Sequence, residues 1–294
     1  MQFRRQRRVD VGSHRPQPAV QGTGLGDSDY RDRRFGDCVT PIAPRLSIMA
    51  LPGLPSIASG DNLAILIAAA CERAALPLAD GDIVVVAQKI VSKAEGRAIP
   101  LGEVTPSQAA QDLAIRVEKD PRLVELILSE STAVIRAVPG VLIVEHRLGF
   151  ILANAGIDAS NIDHGKDEMA LLLPVDPDAS ARLLRADLSA QVGAAVAVLI
   201  IDSIGRAWRL GTVGTAIGAS GLPTLLDLRG KPDMFGRPLQ TSELGFADEI
   251  AAAASLAMGQ ADEATPVTIV RGLAYGGDDP AAALLRDRDR DLFR

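Results

Sequence analysis

Hydrophobic and polar positions along this chain become periodic only after residue 48. Leu51-Pro-Gly-Leu-Pro55 reads as a tight turn, and Gly60-Asp-Asn62 reads as the cap of a helix from Leu63 to about Leu76. Pro77 and Asp80-Gly-Asp82 break the chain before Ile83-Val-Val-Val-Ala87, a short β-branched run that predicts a buried strand. A polar segment from Gln88 to Arg97 follows. Pro106 to Val117 and Pro121 to Glu130 predict two helices, each opening on a proline in its first turn. Val134-Ile-Arg136 and Val141-Leu-Ile-Val144 predict a strand pair around Pro139-Gly140, and His146 between Glu145 and Arg147 reads as a surface strand residue.

The second half repeats this grammar. Phe150 to Ala153 predicts a short strand that runs into the polar loop Asn154-Ala-Gly-Ile-Asp-Ala-Ser-Asn161. Pro177 to Val192 predicts a helix, and Ala195 to Ile201 predicts a strand that ends at Asp202-Ser203. Gly211 to Gly221 reads as a glycine-rich loop. Ala247 to Met258 predicts an Ala-rich helix, and Pro266 to Arg271 a last strand. The alternating Arg and Asp of 286–294 read as a solvated end. The fold class expected is mixed α/β of the α+β type, because the strands are spaced too irregularly for a doubly wound sheet.

Composition then narrows the function classes. A chain of 294 residues that is 47% hydrophobic and 23% charged can bury a substantial core, built from aliphatic side chains because aromatics are only 3%. The net charge of −6 argues against bulk attraction to nucleic acid or anionic membrane, so neither is expected as a partner. Residues 1–48 carry nine Arg against five Asp, with no periodicity, and read as a disordered Arg-rich extension ahead of a single domain at 49–294. A nucleic-acid-binding arm is the other reading of that segment. Cys38 and Cys71 are too few for a disulfide scaffold and suggest a reducing, cytoplasmic setting. The longest apolar run, Val192 to Ile201, is about half of the ~20 residues that a membrane span needs.

No segment matches a P-loop, and Gly22-Thr-Gly-Leu-Gly26 has no strand before it to make a dinucleotide motif. His14, His146 and His164 show no metal-ligand spacing, and no GxSxG elbow supports a serine nucleophile. What remains is polar chemistry at strand ends, namely Asp158 and Asp202-Ser203. Carboxylate, hydroxyl and carboxamide oxygens there would suit Mg²⁺ or Mn²⁺. The same residues also read as a helix cap and a strand end.

Several longer motifs resemble the coenzyme F-420:L-glutamate ligases, the gamma-glutamyl ligases that finish a deazaflavin coenzyme. They are Gly53-Leu-Pro55, Ala87-Gln-Lys-Ile-Val-Ser-Lys-Ala-Glu-Gly-Arg97, Lys119-Asp-Pro-Arg122, Ala153-Asn-Ala-Gly-Ile-Asp-Ala-Ser-Asn161, Leu173-Pro, Asp176-Pro-Asp178, Asp202-Ser-Ile-Gly-Arg-Ala-Trp-Arg209 and Met258-Gly-Gln260. The resemblance implies an unusual mixed α/β ligase fold, neither Rossmann nor P-loop, forming an intertwined homodimer. It implies GTP, L-glutamate and the coenzyme precursor as substrates, with Mg²⁺ or Mn²⁺ (two ions) and K⁺. The implied metal ligands are Asp158, Asp202, Ser203 and Gln260, and the implied catalytic set is Asp158, Asp202, Lys89 and Lys93. Nucleotide contacts would come from Leu54, Pro55, Ser56, Ile57, Gln88, Lys89, Lys93 and Asn161. The run Met258, Gly259, Gln260, Ala261, Asp262, Glu263, Ala264 and Thr265 would supply the rest. Lys89 and Lys93 stand out because the chain has five lysines against 26 arginines.

Two departures from the family pattern bear on function. Ser203 stands where a Thr is common, which keeps the hydroxyl. Gly211-Thr-Val-Gly-Thr-Ala-Ile-Gly218 stands where the family commonly reads Gly-Gln-Thr-Asp-Val-Ala-Ile-Gly, which removes a carboxamide and a carboxylate from a loop expected to face substrate. A non-catalytic guanine-nucleotide- and metal-binding relative is therefore the alternative function.

Overall fold

The computed structural model describes residues 45–158 and 168–291. Asn161 and His164 of the polar loop, with His14, Cys38 and the glycines of 22–26, lie outside these residues. The elements of the first half are β1 (Ser47–Ala50), α1 (Leu63–Arg73), β2 (Ile83–Ala87), α2 (Gln88–Ala94), β3 (Ala98–Pro100), α3 (Gln108–Val117), α4 (Pro121–Ser129), β4 (Ser131–Val138), β5 (Val141–His146) and β6 (Ile151–Ala153). The second half contributes β7 (Met169–Leu171), α5 (Pro177–Val192), β8 (Ala197–Gly205), β9 (Thr212–Ser220), β10 (Leu226–Asp227), β11 (Glu243–Leu244), α6 (Phe246–Met258) and β12 (Val267–Arg271).

The mixed α/β class holds. A five-stranded sheet in the order β1-β12-β2-β8-β9 forms the centre, and only β2 and β8 in it are parallel. All of Ile83 to Val86 is buried because β2 is covered on both faces. Val84, Val86, Val198 and Ile200 face α1 and α5, whereas Ile83, Val85, Leu199 and Ile201 face α6. A separate small core joins α3 and α4 to β5, inside the three-stranded sheet β4-β5-β6.

Local signals explain most element boundaries. The Asn62 side chain accepts the Ile65 amide at 3.1 Å, and Asp176 accepts that of Ala179 at 2.9 Å ahead of Pro177. α5 stops at Gly193 in the left-handed region. Arg271 clamps the buried Asp82 with two bonds of 2.7 and 2.6 Å, tying β12 to the turn before β2.

Five expectations need correction. Ordered structure starts before Met49, since Ser47 and Ile48 pair with Arg271 and Val270. The polar segment after β2 is the helix α2, whose buried Gln88, Ile90, Val91 and Ser92 form one face. β8 runs past Ile201 to Gly205, so Asp202 and Ser203 lie inside a strand and not after it. The glycine-rich stretch is β9, the edge strand. Its glycines make room for helices: a Cβ on Gly214 would stand 2.3 Å from the Ala251 carbonyl oxygen of α6, and one on Gly218 equally close to that of Pro177 in α5. Position 214 therefore faces a helix and not an open loop. His146 is buried, because the alternation Leu142, Val144, His146 turns all three inward. Its Nδ1 accepts the Leu148 amide at 3.0 Å, and its Nε2 lies 3.4 Å from the Glu130 carboxylate. Burial pushes the Glu130 carboxyl up, but the close approach of His146, the hydrogen bond from Arg97 and the charges of Arg97 and Arg147 outweigh that and bring it to about 2.

Candidate functional site

The site forms at the carboxyl ends of the parallel pair β2 and β8, where open α/β sheets leave a crevice. Ala87, the last residue of β2, pairs with Ile201 of β8. The next residue of β8 is Asp202, and two residues beyond Ala87 is Lys89 in the first turn of α2. The third member arrives from the other core. After β6 the chain turns through Asn154, Ala155 and Gly156, with φ of 53°, 54° and 66°, all left-handed. Asp158 is then fixed by two backbone bonds to Leu171, of 2.9 and 2.8 Å. This brings its Oδ2 to 2.7 Å from Lys89 Nζ.

Asp202 is the electrostatic outlier. Burial drives its carboxyl up to about 6, and the neighbouring charge of Asp158 adds to the rise. The amide of Ser203, which donates to Asp202 Oδ1 at 2.8 Å, and the Lys89 ammonium offset only part of it. Two carboxylates thus lie near the Lys89 ammonium, and burial raises the pKa of one of them.

Ser203 and Gln260 make a second pair. Successive strand residues point to opposite faces, and Ser203 pairs with Gly214, which abuts α6. Ser203 Oγ accordingly meets Gln260 Oε1 at 2.7 Å in the loop that leaves α6. Asp202 faces the other way, toward α2 and Asp158. The four implied metal ligands are therefore two pairs either side of β8. Among the described residues no three His, Cys, Asp or Glu side chains stand close enough to hold an ion by themselves. The donors are all hard oxygens, two of them carboxylates, so the set fits a divalent cation bound partly by other oxygens.

The implied nucleotide segments converge on the same end of the sheet. Gly60 donates to the Ala94 carbonyl at 2.9 Å, which lays the loop carrying Leu54, Pro55, Ser56 and Ile57 beside the last turn of α2. Lys93 is four residues after Lys89, so both occupy one face of that helix. Gln88 is buried, its Oε1 accepting the Ser92 hydroxyl at 2.9 Å. The loop 258–265 returns to the end of β2, where Ala87 donates to the Pro266 carbonyl at 2.9 Å. Inside this loop the Glu263 carboxylate accepts the Ala261 amide and lies near the amides of Glu263 and Gln260, which hold it below its ordinary value. The Ala261 bond is 2.8 Å. Converging backbone amides of this kind make a seat for an anion, here filled by the chain's own carboxylate. A separate cleft of about 310 Å³, lined by Phe150, Asp176, Arg182 and Ile217 among others, shares no residue with this site.

The structure thus unites Lys89, Asp158 and Asp202, unites Ser203 with Gln260, and sets Lys93 and the two loops around them. Asn161 lies outside the described residues. The chain-level reading did not single out the left-handed turn 154–156 or the amide seat at Glu263. The Asn-Ala-Gly triplet was a signal for the turn, since Asn and Gly are the residues that enter the left-handed region most readily. Glu263 is expected among the nucleotide contacts of the 258–265 run, and only the folded loop shows its carboxylate taking the Ala261 amide.

The chain belongs to a ligase family. Residues 53–272 match the family described as F420-0:Gamma-glutamyl ligase, and the chain belongs to that family. It is 46% identical over 252 residues to a protein of Methanothermobacter thermautotrophicus named Coenzyme F420:L-glutamate ligase, covering 85% of this chain and 99% of that one. Proteins of the same name from Methanopyrus kandleri and Archaeoglobus fulgidus are 46% and 40% identical, each over 85% of this chain and 98% and 97% of theirs.

Proposed function

We propose that this protein ligates L-glutamate to the F420-0 precursor at the expense of GTP, through an acyl phosphate. The carrying observation is the Lys89–Asp158–Asp202 constellation at the ends of β2 and β8, in a chain that matches Coenzyme F420:L-glutamate ligases over nearly their whole length. The terminal carboxylate of the precursor attacks the γ-phosphorus of GTP and GDP leaves. The α-amine of glutamate then attacks the acyl carbonyl, loses a proton, and phosphate departs, leaving the amide. A second round at the new γ-carboxylate gives a γ-linked chain.

The residues divide this work. Lys89 and Lys93 hold fixed positive charge toward the phosphates, where charge shifts in transfer. The amide seat of the 258–265 loop receives a phosphate oxygen once Glu263 swings out. Asp158, Asp202, Ser203 and Gln260 would hold Mg²⁺ or Mn²⁺, which supplies charge neutralisation and in-line alignment when bound; K⁺ is the other cation of this reading. No protein nucleophile is needed. A homodimer in the cytoplasm completes the proposal. Among the described residues no helix is long and apolar enough to cross a membrane.

Mass spectrometry of products from GTP, Mn²⁺, glutamate and F420-0 tests it. A mass gain of one or more glutamyl units, dependent on GTP, is expected. GTP binding with no adduct would instead establish the non-catalytic reading.

A further inference from the structure

The β8–β9 hairpin continues beyond the site it carries. From Asp202 the strand runs through Gly205, and the chain reverses through Arg206-Ala-Trp-Arg-Leu-Gly211 before β9 begins. The reversal is closed weakly, by the Arg209 amide on the Arg206 carbonyl at 3.5 Å and by Arg206 Nη1 on the Gly211 carbonyl at 3.4 Å. Its third residue has φ of +63°, a position where turns place Gly or Asn, and this chain places its sole tryptophan there. Trp208 is 89% exposed and Leu210 is 99% exposed, so neither packs against the protein to offset the strain. Strain without a packing return is the signature of a residue held for something outside the fold.

The chemistry of the tip indicates what that is. In sequence Trp208 is flanked by Arg206 and Arg209, on a chain whose overall charge is negative. At about 3.3 Å per strand residue, the tip lies on the order of 10–20 Å beyond Asp202. An acceptor whose terminal carboxylate reacts at Asp158 and Asp202 must extend the rest of its length away from them. An acceptor that extends along β8 would reach Arg206, Trp208 and Arg209. Guanidinium pairs with carboxylate or phosphate, and the indole face stacks on a planar ring.

We infer that the hairpin tip is the acceptor subsite, with Trp208 stacking on the ring system of the coenzyme precursor and Arg206 and Arg209 pairing with its anionic arm. The inference rests on the ligase reading above and names the part of the site that recognises the acceptor and not the nucleotide. The test is calorimetric titration of the full chain with F420-0 alone, comparing wild type with Trp208→Ala, Trp208→Phe and the double variant Arg206→Ala/Arg209→Ala. Melting temperature and sedimentation mass are measured alongside. Trp208→Ala and the double variant should each lose about tenfold or more in acceptor affinity. Trp208→Phe should retain most of it, and GTP affinity should move far less than acceptor affinity in all three. Wild-type acceptor affinity in the variants overturns the subsite while leaving the ligase reading standing. Loss of affinity together with a fall in sedimentation mass assigns the tip to a contact between copies of the chain and overturns it too. A wild-type protein that neither binds F420-0 nor adds glutamate to it overturns both readings at once.

Discussion

Changing Asp202 to Asn should make the empty protein more stable while abolishing ligation. The carboxyl is pushed from an ordinary 3.8 up to about 6, chiefly by burial and then by Asp158. A raised pKa in the folded state means that the charged form is penalised by folding. The penalty is absent well below pH 3.8, where the group is protonated folded or unfolded. It builds as pH rises toward 6 and is complete above it. Two units correspond to about 3 kcal/mol, and partial access to solvent lowers the expected gain to about 1–3 kcal/mol at pH 7. Asparagine keeps an oxygen for the Ser203 amide, so the local bond at 2.8 Å survives the change. The Lys89–Asp158 pair is also left intact. Urea denaturation with chelator present and no nucleotide should show the variant midpoint higher at pH 7, by on the order of 1 M or less, and close to wild type at about pH 3. Ligation by the same variant should be lost at physiological Mg²⁺ and partly restored by raised Mn²⁺. A variant no more stable than wild type at pH 7 would refute the electrostatic account, and unchanged ligation would make Asp202 an ordinary strand residue.

Four other outcomes are expected. Lys89→Met and Lys93→Met should each weaken GTP binding about tenfold or more in calorimetry with Mn²⁺ present, as the loss of a charge-assisted hydrogen bond requires; wild-type affinity in both would remove these lysines from the phosphate pocket. Glu263→Ala vacates the amide seat and should tighten binding of GTP, or of tripolyphosphate as a simpler probe, whereas weaker binding would show that Glu263 supports the ligand instead of competing with it. Gly214→Ala forces a Cβ to 2.3 Å from the Ala251 carbonyl oxygen, so thermal unfolding should reveal a loss of about 1–3 kcal/mol, and a neutral result would mean that α6 moves away at no cost. Arg271→Met leaves the buried Asp82 carboxylate with the Ala79 amide as its remaining bond and should cost about 1–3 kcal/mol in chemical denaturation, and the additional exchange Asp82→Asn should recover part of it.

Local chemistry along the chain determined a good deal of this protein. The β-branched run of β2, the Asn62 and Asp176 caps, and the prolines opening α4 and α5 act within a few residues, so they can be read where they stand. The long motifs marked Lys89, Asp158, Asp202, Ser203 and Gln260 as belonging together, although they are up to 171 positions apart in the chain. What the chain could not display is which face each of them takes. β9 reads as a loop because its glycines lower strand propensity, yet those glycines are required by α5 and α6 pressing on the strand from either side. His146 reads as exposed because its neighbours are charged, yet period-two alternation and the Glu130 carboxylate hold it inside. Asp202 and Ser203 read as one cluster, yet adjacent strand residues must diverge, and so Asp202 meets Lys89 and Asp158 while Ser203 meets Gln260. The raised carboxyl of Asp202 has the same origin. It comes from burial and from a second acid delivered by a strained turn in another core, and distances across a sheet are fixed only when the sheet is assembled.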